Sequence, residues 1–136
     1  MGIRSLGLKK GFHQFIIREQ DRPKLAFTWD STQYMLVGAP FGVKPLSSAF
    51  QRGLSSLFAG KSFVVVYIDN IYVFSLSLNG RIPHLVEVLI ILRDNCLRLN
   101  FIKCRFIQPQ IDVLGNVVSA AVLYHLQLRV NTFNHF

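Results

Sequence analysis

The chain has 136 residues, of which 51% are hydrophobic and 16% are charged. This length accommodates one domain with one sizeable core. The apolar content excludes a disordered tail and indicates a piece of a larger structure, with surface that partners cover. Fifteen Lys and Arg against seven Asp and Glu give a net charge of +8, dispersed along the chain from Arg4 onwards. Two interpretations stay open: a polyanionic partner such as nucleic acid, or a solvated basic surface.

Short runs of β-branched and aromatic residues predict the strands, and turn-forming residues separate them. The predicted strands are Phe12 to Arg18, Leu25 to Trp29, Tyr34 to Val37, Phe63 to Ile68, Ile71 to Phe74, Lys103 to Ile107 and Ile111 to Ser119, with a further one near Val122. Apolar residues at helical spacing predict helices over Pro45 to Phe58 and over Ile82 to Leu97, the second with Asn79 as its candidate cap. This order predicts an α+β fold, an antiparallel sheet backed by two helices.

Three features of the sequence bear on chemistry and location. The dipeptide Asp69-Asn70 separates two apolar runs at hairpin spacing, which predicts that both residues lie at the tip. The cysteines, Cys96 and Cys104, are too few for a disulfide framework and have apolar neighbours, so core thiols are expected. The chain opens without a secretory leader, and its most apolar stretch is too short to span a bilayer. We therefore expect an intracellular protein of the cytoplasm or nucleus, with no membrane partner.

Six short segments follow one another in the chain: GLKKGFHQ from Gly7, DRPKLAFT from Asp21, PFGV from Pro40 with FQR from Phe50, YIDNI from Tyr67, LNFIKCRF from Leu99 and VLGNVVS from Val113. In this order they resemble segments of reverse transcriptases from gypsy-type LTR retrotransposons. Each alone is a weak signal, but together they keep the family's order and approximate spacing. The resemblance predicts a partial reverse-transcriptase palm domain at 1–120, lacking most of the fingers and thumb, and an unassigned tail at 121–136.

The resemblance implies RNA-directed DNA polymerase chemistry. A primer 3′-hydroxyl attacks the α-phosphate of a dNTP, and Mg²⁺ or Mn²⁺ ions held by three aspartates stabilise the attacking and leaving oxygens. Asp69 keeps one of these positions and is the remaining metal ligand, whereas Asn70 and Gly7 occupy the other two. With one carboxylate left, we expect polymerase activity close to nil and metal binding that is weak or absent.

Other positions match further functional residues of the family. The resemblance implies Phe12, Phe41 and Gly42 for the nucleotide pocket, Gln51, Arg52, Leu114 and Gly115 for template and primer, and Lys103 as a proton donor to pyrophosphate. In the family, the aromatic at the place of Phe12 collides with a ribose 2′-hydroxyl and so favours deoxynucleotides. Val113 to Val118 match the strand pair that grips the primer end in the family. Core packing is the alternative for Phe12, Phe41 and Val113, and a solvated surface lysine is the alternative for Lys103.

Three functional interpretations stay open. The first is a truncated, degenerate polymerase, whose partners by family are an RNA/DNA template–primer and dNTP. The second is a basic palm remnant that binds nucleic acid without catalysis. The third is an interaction fragment, or one with no function, in which exposed palm surface self-associates or meets separate fingers and thumb segments.

Overall fold

The computed structural model describes residues 2–77, 79–113 and 116–119, although the side chains of Ile107, Asp112, Val113 and Asn116 fall outside this description. The predicted strand near Val122 and the tail at 121–136 lie outside the described residues. The elements are β1 (Gly2–Gly7), α1 (Gly11–Gln14), β2 (Phe27–Trp29), β3 (Thr32–Tyr34), α2 (Lys44–Leu57), β4 (Val64–Tyr67), β5 (Asn70–Ser75), α3 (Arg81–Asp94), β6 (Arg105–Gln108), β7 (Gln110–Val113) and β8 (Asn116–Ser119).

A four-stranded antiparallel sheet forms the centre of the fold, with the strand order β4-β5-β1-β6. Helices α2 and α3 pack on the same side of this sheet through Phe50, Leu54, Val88 and Leu92, which join one apolar cluster with β1 and β5. The hairpins β2–β3 and β7–β8 form separate two-stranded sheets. The prediction of an antiparallel sheet backed by two helices is therefore confirmed. Within the part of the chain that is described, no helix is long and apolar enough to cross a bilayer.

The first predicted strand was wrong. The central strand is β1, while Phe12 lies in the short helix α1, where the backbone N–H of Phe15 donates to the carbonyl of Phe12 at 3.1 Å. The sequence of β1, GIRSLG, does not predict a strand because Gly, Arg and Ser interrupt the apolar pattern. Ile3 and Leu6 are nevertheless fully buried, on opposite faces of the sheet, in two different apolar clusters. A central strand covered on both faces shows no polar–apolar alternation.

The β4–β5 hairpin forms as predicted, but its turn lies one residue earlier. Tyr67 pairs with Asn70, so the tip consists of Ile68 and Asp69, and Asn70 is the first residue of β5. Ile68 adopts a left-handed backbone conformation with φ 52°. The register follows from burial, because it puts Ile71 and Val73 of β5 into the core on the helix side.

Several smaller predictions were also wrong. Gly80, not Asn79, is the N-cap of α3 and makes no side-chain cap bond. The helix ends at Asp94 rather than at Leu97, since Cys96 turns the chain with φ 56°. Cys96 is exposed instead of buried, because it lies in this turn beyond the helix. Arg4 is not part of a solvated surface but only 7% exposed, and burial, followed by the charge of Arg81, lowers its pKa.

Candidate functional site

The sheet brings the three predicted metal-ligand positions to one place. In the pairing of β1 with β5, Gly7 lies opposite Asn70. The backbone N–H of Leu8 then donates to the carbonyl of Asp69 at 2.8 Å, which ties the end of β1 to the hairpin turn. Positions 7, 69 and 70 are therefore neighbours, as the resemblance implies for three metal-binding aspartates.

An open cleft of about 420 Å³ lies beside this junction. Its lining is Lys9, Lys10, Gly11, Phe12, Phe41, Ile68, Asp69, Asn100 and Lys103. Four of the predicted site residues therefore share one cleft: Phe12, Phe41, Asp69 and Lys103. Asp69 is the single acid in this lining, and three lysines accompany it.

Lys103 occupies the space beside the glycine of β1. A Cβ built on Gly7 would lie 2.9 Å from the Cβ and 3.4 Å from the Cδ of Lys103, and 3.7 Å from the Oδ1 of Asn70. The turn Phe101–Lys103 is held there because the backbone N–H of Asn100 donates to the carbonyl of Gly7 at 2.8 Å. A contact of 2.9 Å is closer than carbon atoms pack, so position 7 has no room for a side chain unless this turn moves.

Aromatic side chains form the apolar wall of the cleft. Phe12 is 8% exposed and stacks on Phe50 with ring centroids 4.4 Å apart. Phe41 contacts Phe12 at 5.2 Å and is itself 68% exposed. His13 packs edge-on against Phe41, and its Nδ1 lies 3.0 Å from the carbonyl oxygen of Ala39. Both core packing and a nucleotide contact are therefore compatible with Phe12, and exposure favours a contact role for Phe41.

Gln51 holds the hairpin through its side-chain amide, a feature that sequence reasoning missed. Its Nε2 donates to the carbonyl of Val66 at 2.9 Å, and its Oε1 accepts from the backbone N–H of Ile68 at 2.6 Å. Both ends of the amide are thus used to fix the turn that presents Asp69. A template contact by Gln51, implied by the resemblance, would reuse a side chain already bound to the backbone.

Replacing Gln51 by Leu is expected to lower the free energy of unfolding by about 1–3 kcal/mol, because two backbone groups of the hairpin lose their partner. The amide of Ile68 is expected to exchange its hydrogen faster, which hydrogen-exchange NMR measures. Ser55→Ala is the matched control, since it removes only the bond from Gln51 Nε2 to the Ser55 hydroxyl at 3.1 Å. Equal exchange rates for Ile68 in wild type and Gln51→Leu would contradict the assigned role.

Two further predicted site residues, Gly42 and Arg52, are not part of the cleft lining. Gly42 has φ 87° and open space around its Cα, next to Phe41. Arg52 is exposed on α2 and does not line the cleft. Leu114 and Gly115 lie outside the described residues, so their implied contact with the primer stays a prediction.

The side chains at the junction do not fit a pair of divalent ions. Mg²⁺ and Mn²⁺ are held by oxygen ligands, and carboxylates bridge two such ions. Here Asp69 is a carboxylate, Asn70 is a neutral amide, and Gly7 has no side chain. Across the described residues, no group of three or more His, Cys, Asp or Glu side chains is arranged to hold a metal ion.

Comparisons with known proteins agree with the resemblance seen in the sequence. The profile of the family described as "Reverse transcriptase (RNA-dependent DNA polymerase)" matches residues 2–118. The retrovirus-related Pol polyprotein from transposon gypsy of Drosophila melanogaster is 33% identical over 117 residues, which are 85% of this chain and 11% of the polyprotein. Polyprotein P3 of Commelina yellow mottle virus is 37% identical over 109 residues, 79% of this chain and 6% of that protein. This chain therefore spans a small part of the length of these relatives.

Two solved structures share the fold. The foamy viral protease–reverse transcriptase in complex with an RNA/DNA hybrid superposes with a TM-score of 0.79 at 21% identity, over 88% of this chain and 16% of that one. The same viral protein in complex with dsDNA gives a TM-score of 0.78 at 21% identity, over 88% of this chain and 26% of that one. The chain belongs to the reverse transcriptase family and has the palm-like fold of a reverse-transcriptase domain from a retrotransposon Pol polyprotein.

Proposed function

We propose that this reverse-transcriptase domain binds nucleic acid but does not transfer nucleotides. The observation that carries the proposal is the pairing of Gly7 with Asn70, beside Asp69, in the antiparallel ladder of β1 and β5. This pairing supports the proposal because residues 7, 69 and 70 are the positions that would share the metal ions, and Asp69 is the one carboxylate among them.

The loss of carboxylates bears directly on the chemistry. Reverse transcriptases generally use divalent metal ions, which stabilise charge on the attacking and leaving oxygens of phosphoryl transfer. Removing one group that stabilises a transition-state charge lowers a rate by about 10²–10³. Asn70 and Gly7 both lack such a group, and among the described residues Asp69 is the one acid of the cleft lining. With one carboxylate in place of three, we expect no measurable nucleotidyl transfer.

Nucleic-acid binding has separate support. Two of the solved structures that share this fold are complexes of the foamy viral protease–reverse transcriptase, one with an RNA/DNA hybrid and one with dsDNA. The net charge of +8 and the lysines Lys9, Lys10 and Lys103 of the cleft suit a phosphate backbone. We propose the same class of partner for this chain, with the palm domain at 1–120 as the binding unit. We also propose that binding takes place inside the cell, where such template–primers occur.

Fluorescence anisotropy with a labelled RNA/DNA hybrid tests the binding half of this proposal. Binding is expected in EDTA without any Mg²⁺, and the affinity is expected to fall steeply as salt rises, because counterions are released on binding. A control oligonucleotide of unrelated sequence is expected to bind as tightly, since phosphate contacts carry no sequence information. Binding that requires Mg²⁺, or no binding at low salt, would sink the proposal.

An interaction role is a second candidate, favoured by exposed apolar side chains. Trp29 and Ile82 are each 72% exposed, and Ile102 is 95% exposed. Apolar surface of this kind is covered by partners or by a second copy in many proteins. Size-exclusion chromatography with light scattering tests self-association: a concentration-dependent mass supports this role, and a monomer at all concentrations counts against it.

A further inference from the structure

A buried guanidinium group lies between the sheet and the helices. Arg4 is 7% exposed, and its Nη1 atom is buried without a hydrogen-bond partner among the described residues. Arg4 pairs with Val73 across the sheet, and Val73 packs in the apolar cluster on the helix side. Because directly opposite residues of an antiparallel pair share a face, Arg4 lies on the face that the helices cover.

A second guanidinium group, that of Arg81 at the start of α3, lies near the first. A Cβ built on Gly2 would lie 3.6 Å from the Cζ of Arg81, and Gly2 is two residues from Arg4 on the same face of β1, about 7 Å along the strand. Ser75 pairs with Gly2, and its hydroxyl donates to the carbonyl of Gly80 at 3.4 Å, which holds the start of α3 over this end of β1. The proximity is also seen in the pKa of Arg4, which burial and then the charge of Arg81 lower.

The buried charge of Arg4 needs a negative partner. A guanidinium group stays protonated in proteins, so Arg4 cannot become neutral by losing a proton. A buried charge without a partner is strongly destabilising. None of the ion pairs between described side chains includes Arg4; they are Arg18–Asp21, Lys24–Asp21, Lys61–Glu87 and Arg93–Asp94.

The other acids of the chain lie away from Arg4. Asp69 lines the cleft at the Gly7 end of β1, while Glu19 and Asp30 are exposed in the segments around β2. Asp112 belongs to the hairpin β7–β8, which packs through Ile111 on the other face of the sheet. Within the described part of the chain, no acid is therefore placed to neutralise Arg4, and an anion from solution is the remaining source of negative charge.

We propose that a small phosphate-class oxyanion binds between Arg4 and Arg81 at the start of α3 and stabilises the domain. The site goes beyond the proposed function and is independent of it, because it lies at the Gly2 end of β1 and the cleft lies at the Gly7 end. Guanidinium groups bind phosphate oxygens bidentately. Two of them, together with the positive end of the 14-residue helix α3, favour a dianion over a single carboxylate. Because Arg4 is only 7% exposed, a small ion fits this place and a nucleic-acid strand does not.

Isothermal titration of the full chain with inorganic phosphate, at constant pH and ionic strength, tests the site. Saturable binding is expected, and Arg4→Met and Arg81→Met are each expected to weaken it by about tenfold or more, the usual effect of losing hydrogen bonds between charged groups. Arg81 is half-buried at the end of a helix, so Arg81→Met tests the site without altering the buried position 4. Arg93→Met removes an exposed arginine of the same helix and is the matched control, with unchanged affinity expected.

Thermal unfolding gives a second measurement. Phosphate is expected to raise the Tm of the wild type until the site is saturated, because a ligand of the folded state stabilises that state. Without phosphate, Arg4→Met is expected to have a higher Tm than the wild type, since an apolar side chain of similar length replaces a buried charge without a partner. In phosphate this variant is expected to show only the gradual, non-saturating stabilisation that such salts give to proteins in general.

Three results would overturn the inference. The first is a wild type that binds no phosphate. The second is equal phosphate affinity in Arg4→Met and the wild type, which would mean that the ion binds elsewhere, for example at the lysines of the cleft. The third is displacement of the phosphate by a single-stranded oligonucleotide, which would mean that the site takes a nucleic-acid backbone and not a small ion. Binding of the RNA/DNA hybrid is expected to be the same in Arg4→Met as in the wild type, so the proposed function is tested separately.

Discussion

Replacing Gly7 by Ala is expected to lower the free energy of unfolding by about 1–3 kcal/mol, the usual effect of overpacking a well-packed site. The new Cβ would lie 2.9 Å from the Cβ of Lys103, and that atom does not move without the backbone of the Phe101–Lys103 turn. In a strand free of such a contact, Gly→Ala stabilises the folded protein by about 0.4–1 kcal/mol, because alanine lowers the conformational entropy of the unfolded chain. A lower free energy of unfolding for Gly7→Ala would therefore indicate the contact with Lys103, and a higher one would indicate that the new Cβ meets no obstacle. Urea unfolding followed by circular dichroism measures it.

Two further variants separate this contact from a general effect of alanine. Gly2→Ala lies in the same strand, where the atoms nearest to a Cβ are those of the Arg81 guanidinium at 3.6 Å, an ordinary contact, so a stabilisation of about 0.4–1 kcal/mol is expected. In a Lys103→Gly background, which removes the opposing Cβ, Gly7→Ala is expected to become neutral or stabilising. A coupling energy near zero between positions 7 and 103 would contradict the packing described here.

Restoring the two missing aspartates is expected to create a metal site, and a tighter one when Lys103 is also replaced by Gly. Gly7→Asp with Asn70→Asp would bring three carboxylates together at the end of β1, because residues 7 and 70 are paired and Asp69 is adjacent. Lys103 opposes this change both by its Cβ and by its charge. The double variant is therefore expected to bind Mn²⁺ more tightly than the unmodified chain, and the triple variant with Lys103→Gly is expected to bind it more tightly still.

Electron paramagnetic resonance of free Mn²⁺ measures this binding directly, whether or not polymerase activity returns. The control is Asp69→Asn in the triple variant, which removes one ligand and is expected to abolish the gain. Tight Mn²⁺ binding by the unmodified chain would show that ligands other than Asp69 contribute, and it would contradict the donor set described here. Failure of the triple variant to bind Mn²⁺ would contradict the geometry of the junction.

Part of the fold could be read from local patterns. Helix α2 follows from apolar residues at helical spacing between Pro45 and Gly60, and the β4–β5 hairpin follows from two β-branched runs with a two-residue gap. The resemblance also pointed to Phe12, Phe41, Asp69 and Lys103, and these four residues line one cleft. Both kinds of signal are contained in short segments of the sequence.

The rest depends on contacts between distant segments. The strand β1 was missed because a central strand needs both faces covered, and its burial comes from partners far away in the chain. The approach of Lys103 to Gly7 depends on a backbone bond from Asn100, which no periodicity reveals. The two hydrogen bonds from the Gln51 amide to the hairpin backbone join residues that are distant in the sequence, and the template contact implied for Gln51 stays a prediction. Each of these features depends on tertiary contacts, which no local pattern of the sequence contains.

Primer extension by the unmodified chain tests the central claim most directly. The sample is first shown to be folded by circular dichroism and to bind the RNA/DNA hybrid, and dNTP is then added with Mg²⁺ or Mn²⁺. No extension product is expected, because Asp69 is the single carboxylate at the junction of β1 with the hairpin. Extension that disappears in Asp69→Ala would contradict the account and would mean that one aspartate suffices for nucleotidyl transfer in this domain.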